Sequence, residues 1–186
     1  MECLIDRIRA LLDRQPCVTV AIEGGSASGK TTLAARLQKE LDANVFHMDD
    51  FFLQPHQRTA ERFREPGGNV DYERFLQEVL LPLQKGEPFS YRVFDCSVMD
   101  FGKSVQVTPR RVNVVEGAYS MHPALAPYYD LSVFVTISPD TQRERILRRN
   151  GERMLRRFLD EWIPLEMHYF TATQAAQRCT LRIKGE

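Results

Sequence analysis

A glycine-rich turn between a buried strand and an amphipathic helix constrains this chain more than any other feature. Residues 24–31 read GGSASGKT, which matches the pattern GxxxxGK[ST]. The segment 17–22 before the turn is almost wholly apolar, as in a strand buried on both faces, and leucines at positions 33, 37 and 41 mark one helix face after it. Backbone N–H groups at such a helix start surround phosphate oxygens, so the sequence predicts a phosphate-binding loop.

Two side chains of this loop have specific predicted tasks. Lys30 would bridge the β- and γ-phosphates of a nucleoside triphosphate, and the Thr31 hydroxyl would ligate Mg²⁺. No guanine-reading NKxD segment follows, so a GTPase is disfavoured. ATP and Mg²⁺ are the expected cofactors, although the loop itself leaves the choice between ATP and GTP as phosphate donor open. The residues expected to hold the nucleotide here are Gly24, Gly25, Ser26, Ala27, Ser28, Gly29, Lys30, Thr31 and Thr32.

The order of apolar segments predicts the fold class. Short strands at 17–22, 45–48, 112–115, 131–137 and 180–183 alternate with helical patterns. This predicts an α/β, three-layer P-loop fold with a mostly parallel sheet and helices on both faces. We also expect a small hairpin over 89–107 with its turn near 100–103, and a helix that starts near Met154 and ends at Pro164.

Length and charge limit the function classes. A chain of 186 residues predicts one domain, 1–186, with an acceptor-binding insert at about 51–108 and a short arginine-rich lid at about 148–156. Its 25 basic and 25 acidic side chains leave no basic footprint for nucleic acid. No apolar run is long enough to span a membrane, no signal peptide begins the chain, and four scattered cysteines suggest neither zinc nor disulfides. A cytoplasmic protein without nucleic-acid or membrane partners is expected.

Acidic residues follow the predicted strands at their carboxyl ends, where open α/β sheets bind ligands. Asp49 and Asp50 come directly after the second strand, and one of them could act as base toward a hydroxyl group or cap a helix. Asp71 follows a Pro-Gly-Gly-Asn stretch, and its alternative is a simple helix N-cap. Glu116 ends a buried strand, where a carboxylate needs a cation.

An arginine-rich segment forms a local anion-binding candidate. Residues 143–157 hold seven arginines against two glutamates, although the whole chain is neutral. Arginine suits planar, bidentate contacts with phosphate. Arg149 and Arg153 flank the Asn150-Gly151 break, where a lid would turn, whereas Arg143, Arg156 and Arg157 are typical of a solvated helix face.

Five segments together resemble a known family. They are GGSASGKTTLA from Gly24, HMDDFF from His47, NVDYERF from Asn69, VVEGAY from Val114 and the arginine-rich segment after Ser138. The chain from Val18 to Ile183 resembles the uridine kinase-like P-loop nucleoside kinases, which are related to the nicotinamide riboside kinases and phosphoribulokinases. The resemblance implies an ATP- and Mg²⁺-dependent kinase that phosphorylates the 5′-hydroxyl of a ribonucleoside.

The resemblance also implies roles for individual residues. Asp49 matches the aspartate that takes the proton from the 5′-hydroxyl, and Asp71 matches the aspartate that holds the ribose 2′- and 3′-hydroxyls. Glu116 is similar to the acidic residue that helps to hold Mg²⁺. The arginines that resemble the lid arginines closing over the phosphates are Arg145, Arg148, Arg149 and Arg153, of which Arg149 and Arg153 join Asp49 and Lys30 as expected catalytic residues.

The predicted hairpin departs from the family pattern. Uridine kinases read the pyrimidine there with a tyrosine and a histidine, where this chain offers Phe94 and Met99. Both lose hydrogen bonds to the base, so the nucleobase stays open. Tyr91, Arg92 and Phe94 are the candidates to line the acceptor pocket.

Two alternatives to a nucleoside-like small-molecule substrate remain open. One is a kinase for another hydroxylated metabolite, such as nicotinamide riboside, a sugar phosphate or pantothenate. The other is a non-catalytic, nucleotide-binding regulator, which would need the loop but no acceptor base. Relatives of this family often form oligomers, so a homo-oligomer is left open too.

Overall fold

A computed structural model describes residues 2–185, and a parallel sheet forms its centre. Within these residues the strands are β1 (Val18–Gly24), β2 (Asn44–His47), β3 (Phe89–Asp95), β4 (Asp100–Val107), β5 (Val112–Glu116), β6 (Leu131–Thr136) and β7 (Leu181–Lys184). Five of them pair in parallel in the order β2-β5-β1-β6-β7, and β3 and β4 form a separate antiparallel hairpin. Every residue of β1 and β5 is buried, as in parallel sheets covered on both faces.

Helices cover both faces of this sheet. The helices are α1 (Glu2–Leu12), α2 (Lys30–Leu41), α3 (Ala60–Arg64), α4 (Tyr72–Phe75), α5 (Leu81–Lys85), α6 (Pro139–Arg157), α7 (Ile163–Thr173) and α8 (Ala175–Arg178). On one face, α1 and α2 contribute Ile8 and Leu37 to a core with the β-strand valines. On the other, α4, α7 and the hairpin enclose Phe46 and Tyr169. The predicted α/β architecture is therefore confirmed. Between residues 2 and 185, no helix has both the length and the apolar character needed to cross a membrane.

The predicted helix end at Pro164 is wrong, because the chain stays helical from α6 through α7. A five-residue π-helical turn, Phe158–Trp162, precedes Pro164, which then lies in the first turn of α7. Proline lacks an N–H and its ring collides with the carbonyl four residues before it, so the wider turn accommodates the ring without ending the helix. Pro82 shows the same arrangement after the turn Leu76–Leu80.

The predicted position of the hairpin turn is also wrong. We expected the turn near 100–103, but those residues belong to β4 and the turn covers 96–99. The Asp95 carboxylate accepts hydrogen bonds from the Ser97 N–H (2.8 Å) and hydroxyl (2.6 Å), which is a local turn-forming contact. Met99 takes a left-handed conformation with φ of 58° and leads into β4.

The predicted break at Asn150-Gly151 is confirmed. Gly151 has φ of 78° and ψ of 172°, which is non-helical, inside the otherwise helical segment α6. The predicted N-cap at the start of α6 is also present, because the Ser138 hydroxyl accepts from the Thr141 N–H at 3.2 Å.

A buried carboxylate joins three parts of the fold near the end of β1. Glu23 is fully buried, and its two oxygens accept hydrogen bonds from the backbone N–H groups of Gly24, Tyr119 and Met121 and from the Tyr169 hydroxyl. Burial raises the pKa of Glu23 to about 7, and the hydrogen bonds from Met121, Gly24 and Tyr169, together with the charge of Lys30, oppose this shift. The carboxylate thus links the phosphate-binding loop, the loop after β5 and helix α7.

Replacing this carboxylate should destabilise the whole domain. Glu23→Ala leaves three N–H groups and one hydroxyl without partners in the core. We expect the free energy of unfolding in urea to fall by at least about 3 kcal/mol. Glu87→Ala, at an exposed position before β3, is the matched control and should change it by less than about 0.5 kcal/mol. A loss from Glu23→Ala no larger than that of the control would contradict the linking role.

Candidate active site

Glycine is required at two positions of the phosphate-binding loop. Gly24 has φ of 147°, and a Cβ atom there would collide with the Val135 carbonyl oxygen of β6. Gly29 has φ of 101° and directly precedes α2. The Lys30 side chain is buried, and its Nζ donates to the Gly25 carbonyl at 2.9 Å. The ammonium group therefore lies against the loop that it is predicted to serve.

Strand register assembles a polar cluster beside this loop. His47 and Glu116 are direct partners on the neighbouring parallel strands β2 and β5. Glu116 Oε1 accepts from His47 Nδ1 at 2.6 Å and from the Thr31 hydroxyl at 3.2 Å. The hydrogen bond to Glu116 raises the pKa of His47. The two predicted metal-site residues, Thr31 and Glu116, are thus in contact. His47 is a further partner of Glu116, which the sequence did not predict because this histidine belongs to no motif.

Asp49 lies between the loop and an open cleft. It belongs to the single turn Met48–Phe51 that follows β2. The surrounding protein, which displaces water, raises the pKa of Asp49, and the Glu116 carboxylate raises it further, whereas Lys30 lowers it. The cleft has a volume of about 450 Å³ and is lined by Asp49, Phe52, Val93, Phe94, Asp95, Cys96, Gly102 and Lys103.

The neighbouring aspartate is used differently. The Asp50 carboxylate accepts from the Tyr91 hydroxyl at 3.2 Å, and the Asp50 carbonyl accepts from Arg74 at 2.9 Å. Arg74 also donates to the Arg92 carbonyl at 2.8 Å and lies 4.1 Å from the centre of the Phe51 ring. Arg74, which the sequence analysis did not single out, therefore fastens the hairpin to the turn that carries Asp49.

The three predicted acceptor-pocket residues of the hairpin have different surroundings. Phe94 lines the cleft. Tyr91 is buried and stacks on Phe51 at 5.3 Å between ring centres, with its hydroxyl on Asp50. Arg92 is exposed and lies over the Phe101 ring at 3.8 Å. Tyr91 and Arg92 are not among the residues that line this cleft, and their contact with an acceptor stays a prediction.

Asp71 is buried and caps α4. One carboxylate oxygen accepts from the Arg74 N–H at 3.0 Å, and the other accepts from Gln57 at 3.0 Å. The Asp71 N–H donates to the Phe51 carbonyl at 2.7 Å, which holds Asp71 beside the turn of Asp49. The N-cap alternative is therefore present, and the ribose-binding role stays a prediction.

The four predicted lid arginines differ in their contacts and exposure. Arg145 donates to the Ala27 carbonyl at 3.2 Å. Arg149 is exposed and donates to the side chain of the adjacent Asn150 at 2.7 Å. Arg148 and Arg153 are exposed on either side of the Gly151 break. Contact with phosphate stays a prediction for all four.

Glu166 is an acidic residue in contact with the phosphate-binding loop that the sequence did not predict. Glu166 of α7 is buried, and its carboxylate accepts from the Ser26 N–H at 2.9 Å and from the Ser26 hydroxyl. Gln142 of α6 donates to the Ser26 carbonyl at 2.8 Å. Burial raises the pKa of Glu166, and the hydrogen bonds from Ser26 oppose this. Glu166 lies 140 positions from Ser26 and has no motif around it, so no local signal could have found it.

Known proteins resemble this chain in both sequence and fold. A uridine kinase of Haemophilus ducreyi is 27% identical over 153 residues, covering 75% of this chain and 70% of the relative. A uridine kinase of Shewanella piezotolerans is 28% identical over 153 residues, covering 75% and 71%. A solved structure described as a possible uridine kinase from Bacillus stearothermophilus superposes with a TM-score of 0.68 at 22% identity, covering 98% of this chain and 100% of the other. No protein-family profile matches the chain.

These findings confirm the resemblance and the P-loop kinase fold that the sequence motifs predicted. The sequence relatives cover three quarters of the chain, and the structural match extends over nearly all of it. The chain is thus similar in sequence to uridine kinases and shares the fold of a possible uridine kinase.

Proposed function

We propose that this chain transfers the γ-phosphoryl group of ATP, with Mg²⁺, to the 5′-hydroxyl of a ribonucleoside. The observation that carries the proposal is the position of Asp49, which lines the cleft and lies within electrostatic reach of Lys30 in the phosphate-binding loop. A kinase of this type needs a base beside the acceptor and a cation beside the phosphates. The names of the sequence relatives support a nucleoside acceptor.

The polar cluster beside the loop fits Mg²⁺. Thr31 and Glu116 supply hard oxygen donors next to the predicted phosphate position. Among residues 2–185, no three acidic, histidine or cysteine side chains are grouped to hold a metal by themselves. This is ordinary for Mg²⁺, which shares its coordination shell between one or two protein groups, substrate phosphates and water. When bound, Mg²⁺ would neutralise part of the negative charge of the phosphates.

The residues of the chain would divide the remaining work. The loop N–H groups and Lys30 would hold the phosphates and stabilise negative charge as it develops. Asp49 would orient the acceptor hydroxyl and accept its proton, a role that a raised pKa favours. Arg148, Arg149 and Arg153 would approach the phosphates from the lid, residues 148–156, with Gly151 as its turning point, and Arg145 would approach them from the helix just before it. Residues 51–108 would bind the acceptor.

The cleft lining favours one second candidate. Phe52, Val93 and Phe94 give it an apolar wall that lacks the base-reading side chains of the uridine kinase pattern, and Lys103 adds a cation. Another hydroxylated metabolite, such as nicotinamide riboside, a sugar phosphate or pantothenate, is therefore the alternative acceptor. Similarity to kinases disfavours the non-catalytic regulator.

An acceptor panel tests the proposed reaction. ADP release from Mg-ATP should be measured with uridine, cytidine, adenosine, guanosine, nicotinamide riboside, deoxyuridine, pantothenate and ribulose 5-phosphate. We expect turnover of ribonucleosides, with kcat/KM for deoxyuridine at least about tenfold below that for uridine, because a site built for a hydroxyl group rejects an analogue that lacks it. Highest activity on nicotinamide riboside, pantothenate or ribulose 5-phosphate would replace the nucleoside with the second candidate.

Asp49→Asn should abolish most turnover without releasing the nucleotide. The amide keeps the shape of the side chain but cannot take the proton, so we expect kcat to fall by about 10²- to 10⁴-fold. The dissociation constant for ADP, measured by calorimetry, should stay near that of the wild type. Asp50→Asn is the matched control, because Asp50 contacts Tyr91 rather than the cleft. Normal turnover by Asp49→Asn would rule out Asp49 as the base.

Asp71→Ser separates the capping role of Asp71 from substrate binding. Serine also caps helices, so the start of α4 is retained while the carboxylate is removed. Loss of charged hydrogen bonds to the ribose should raise KM for the best acceptor by about tenfold or more, with KM for ATP nearly unchanged. Equal changes in both constants would remove Asp71 from the ribose site.

A further inference from the structure

The loop contains a conflict between two anions. Ser26 is one of the residues predicted to contact the nucleotide phosphates, yet its N–H and hydroxyl both donate to Glu166. One N–H group cannot fully serve a carboxylate and a phosphate at the same time. A carboxylate of the protein therefore uses hydrogen-bond donors that are predicted to bind phosphate.

We propose that Glu166 is a positioning residue that acts on the phosphate-binding loop as an internal anion, and that the nucleotide phosphates must displace it from Ser26. The inference rests on the proposed function only in requiring that this loop binds a nucleotide. It adds a determinant of nucleotide affinity that comes from α7, outside the loop itself.

The packing around Glu166 supports a direct action on the loop. A Cβ atom on Gly25 would lie 3.4 Å from Glu166 Oε2 and 3.1 Å from the Gln142 amide nitrogen. Both side chains thus pack against bare loop backbone, and Gln142 and Arg145 of α6 hold the carbonyls of Ser26 and Ala27. Helix α6 also carries the predicted lid arginines, so displacement of Glu166 would also alter the contacts of the helix from which the lid begins.

Charge determines how strongly Glu166 opposes the nucleotide. The groups that act on it are Lys30 of α2, which favours the carboxylate, Asp49 after β2, which disfavours it, and Tyr119 after β5, which interacts with it. Phosphate entering beside a buried carboxylate is repelled. Burial raises the pKa of Glu166, so protonation at lower pH removes both the charge and the repulsion. The repulsion between the Glu166 carboxylate and the nucleotide phosphates is therefore complete above the pKa of Glu166, and it is lost as the pH falls through that pKa.

Calorimetric titration with ADP at pH 8 and pH 5.5 tests the inference. Glu166→Gln keeps the shape of the side chain and removes the charge, so we expect it to bind ADP about tenfold more tightly than the wild type at pH 8, with the difference narrowing at pH 5.5. Titration of ADP itself affects both proteins equally and cancels in the ratio. Glu161→Gln, on the exposed turn before α7 and paired with Arg157, is the matched control and should match the wild type.

The outcomes separate this inference from the proposed function. ADP binding by the wild type with equal or weaker binding by Glu166→Gln at pH 8 would show a merely structural contact and overturn the inference alone. Absence of ADP binding in all proteins would contradict the proposed function and the inference with it. If Glu166→Gln does not fold, Glu166→Ala serves instead, because it removes both the charge and the contact with Ser26 and should also tighten ADP binding.

Discussion

The buried carboxylate of Glu23 is the contact on which the candidate site depends. A carboxylate in a protein interior is costly unless hydrogen bonds satisfy it, and Glu23 collects four of them from three chain segments. Those segments are the first glycine of the phosphate-binding loop, the loop after β5 and helix α7. Helix α7 carries Tyr169, which contacts Glu23, and Glu166, which contacts the loop. The hydrogen-bonded Glu23 side chain therefore links the phosphate-binding loop to helix α7.

Parallel strand register then assembles the chemistry at one edge of the sheet. His47 and Glu116 are register partners, and Thr31 at the start of α2 reaches the same carboxylate. Asp49 follows His47 by two positions and faces the cleft. Carboxyl ends of parallel strands meet at one edge, so residues from separate parts of the chain converge without any sequence motif that spans them.

Packing gives two adjacent aspartates beside the cleft different surroundings. Asp49 and Asp50 are adjacent aspartates, and in the sequence only the family resemblance favours Asp49 as the base. The Tyr91 hydroxyl and Arg74 engage Asp50 and its carbonyl, which fastens the hairpin to this turn and leaves Asp49 for the cleft. Tyr91, expected to line the pocket, contacts Asp50 through its hydroxyl, and its role toward the acceptor stays a prediction.

The sequence by itself determined the features that local chemistry controls. The glycine-rich loop, the buried strands, the Ser138 cap, the Asp71 cap alternative and the Gly151 break depend on residues a few positions apart, and all are present. Tertiary structure decided the rest. Packing carried the chain through Pro164 as helix, placed the hairpin turn at 96–99 and brought Glu166 to Ser26 and Glu23 to Tyr169, contacts separated by 140 and 146 positions. Such contacts depend on how helices dock on the sheet, and a single sequence leaves no periodic trace of them because each involves one polar residue on an otherwise ordinary helix.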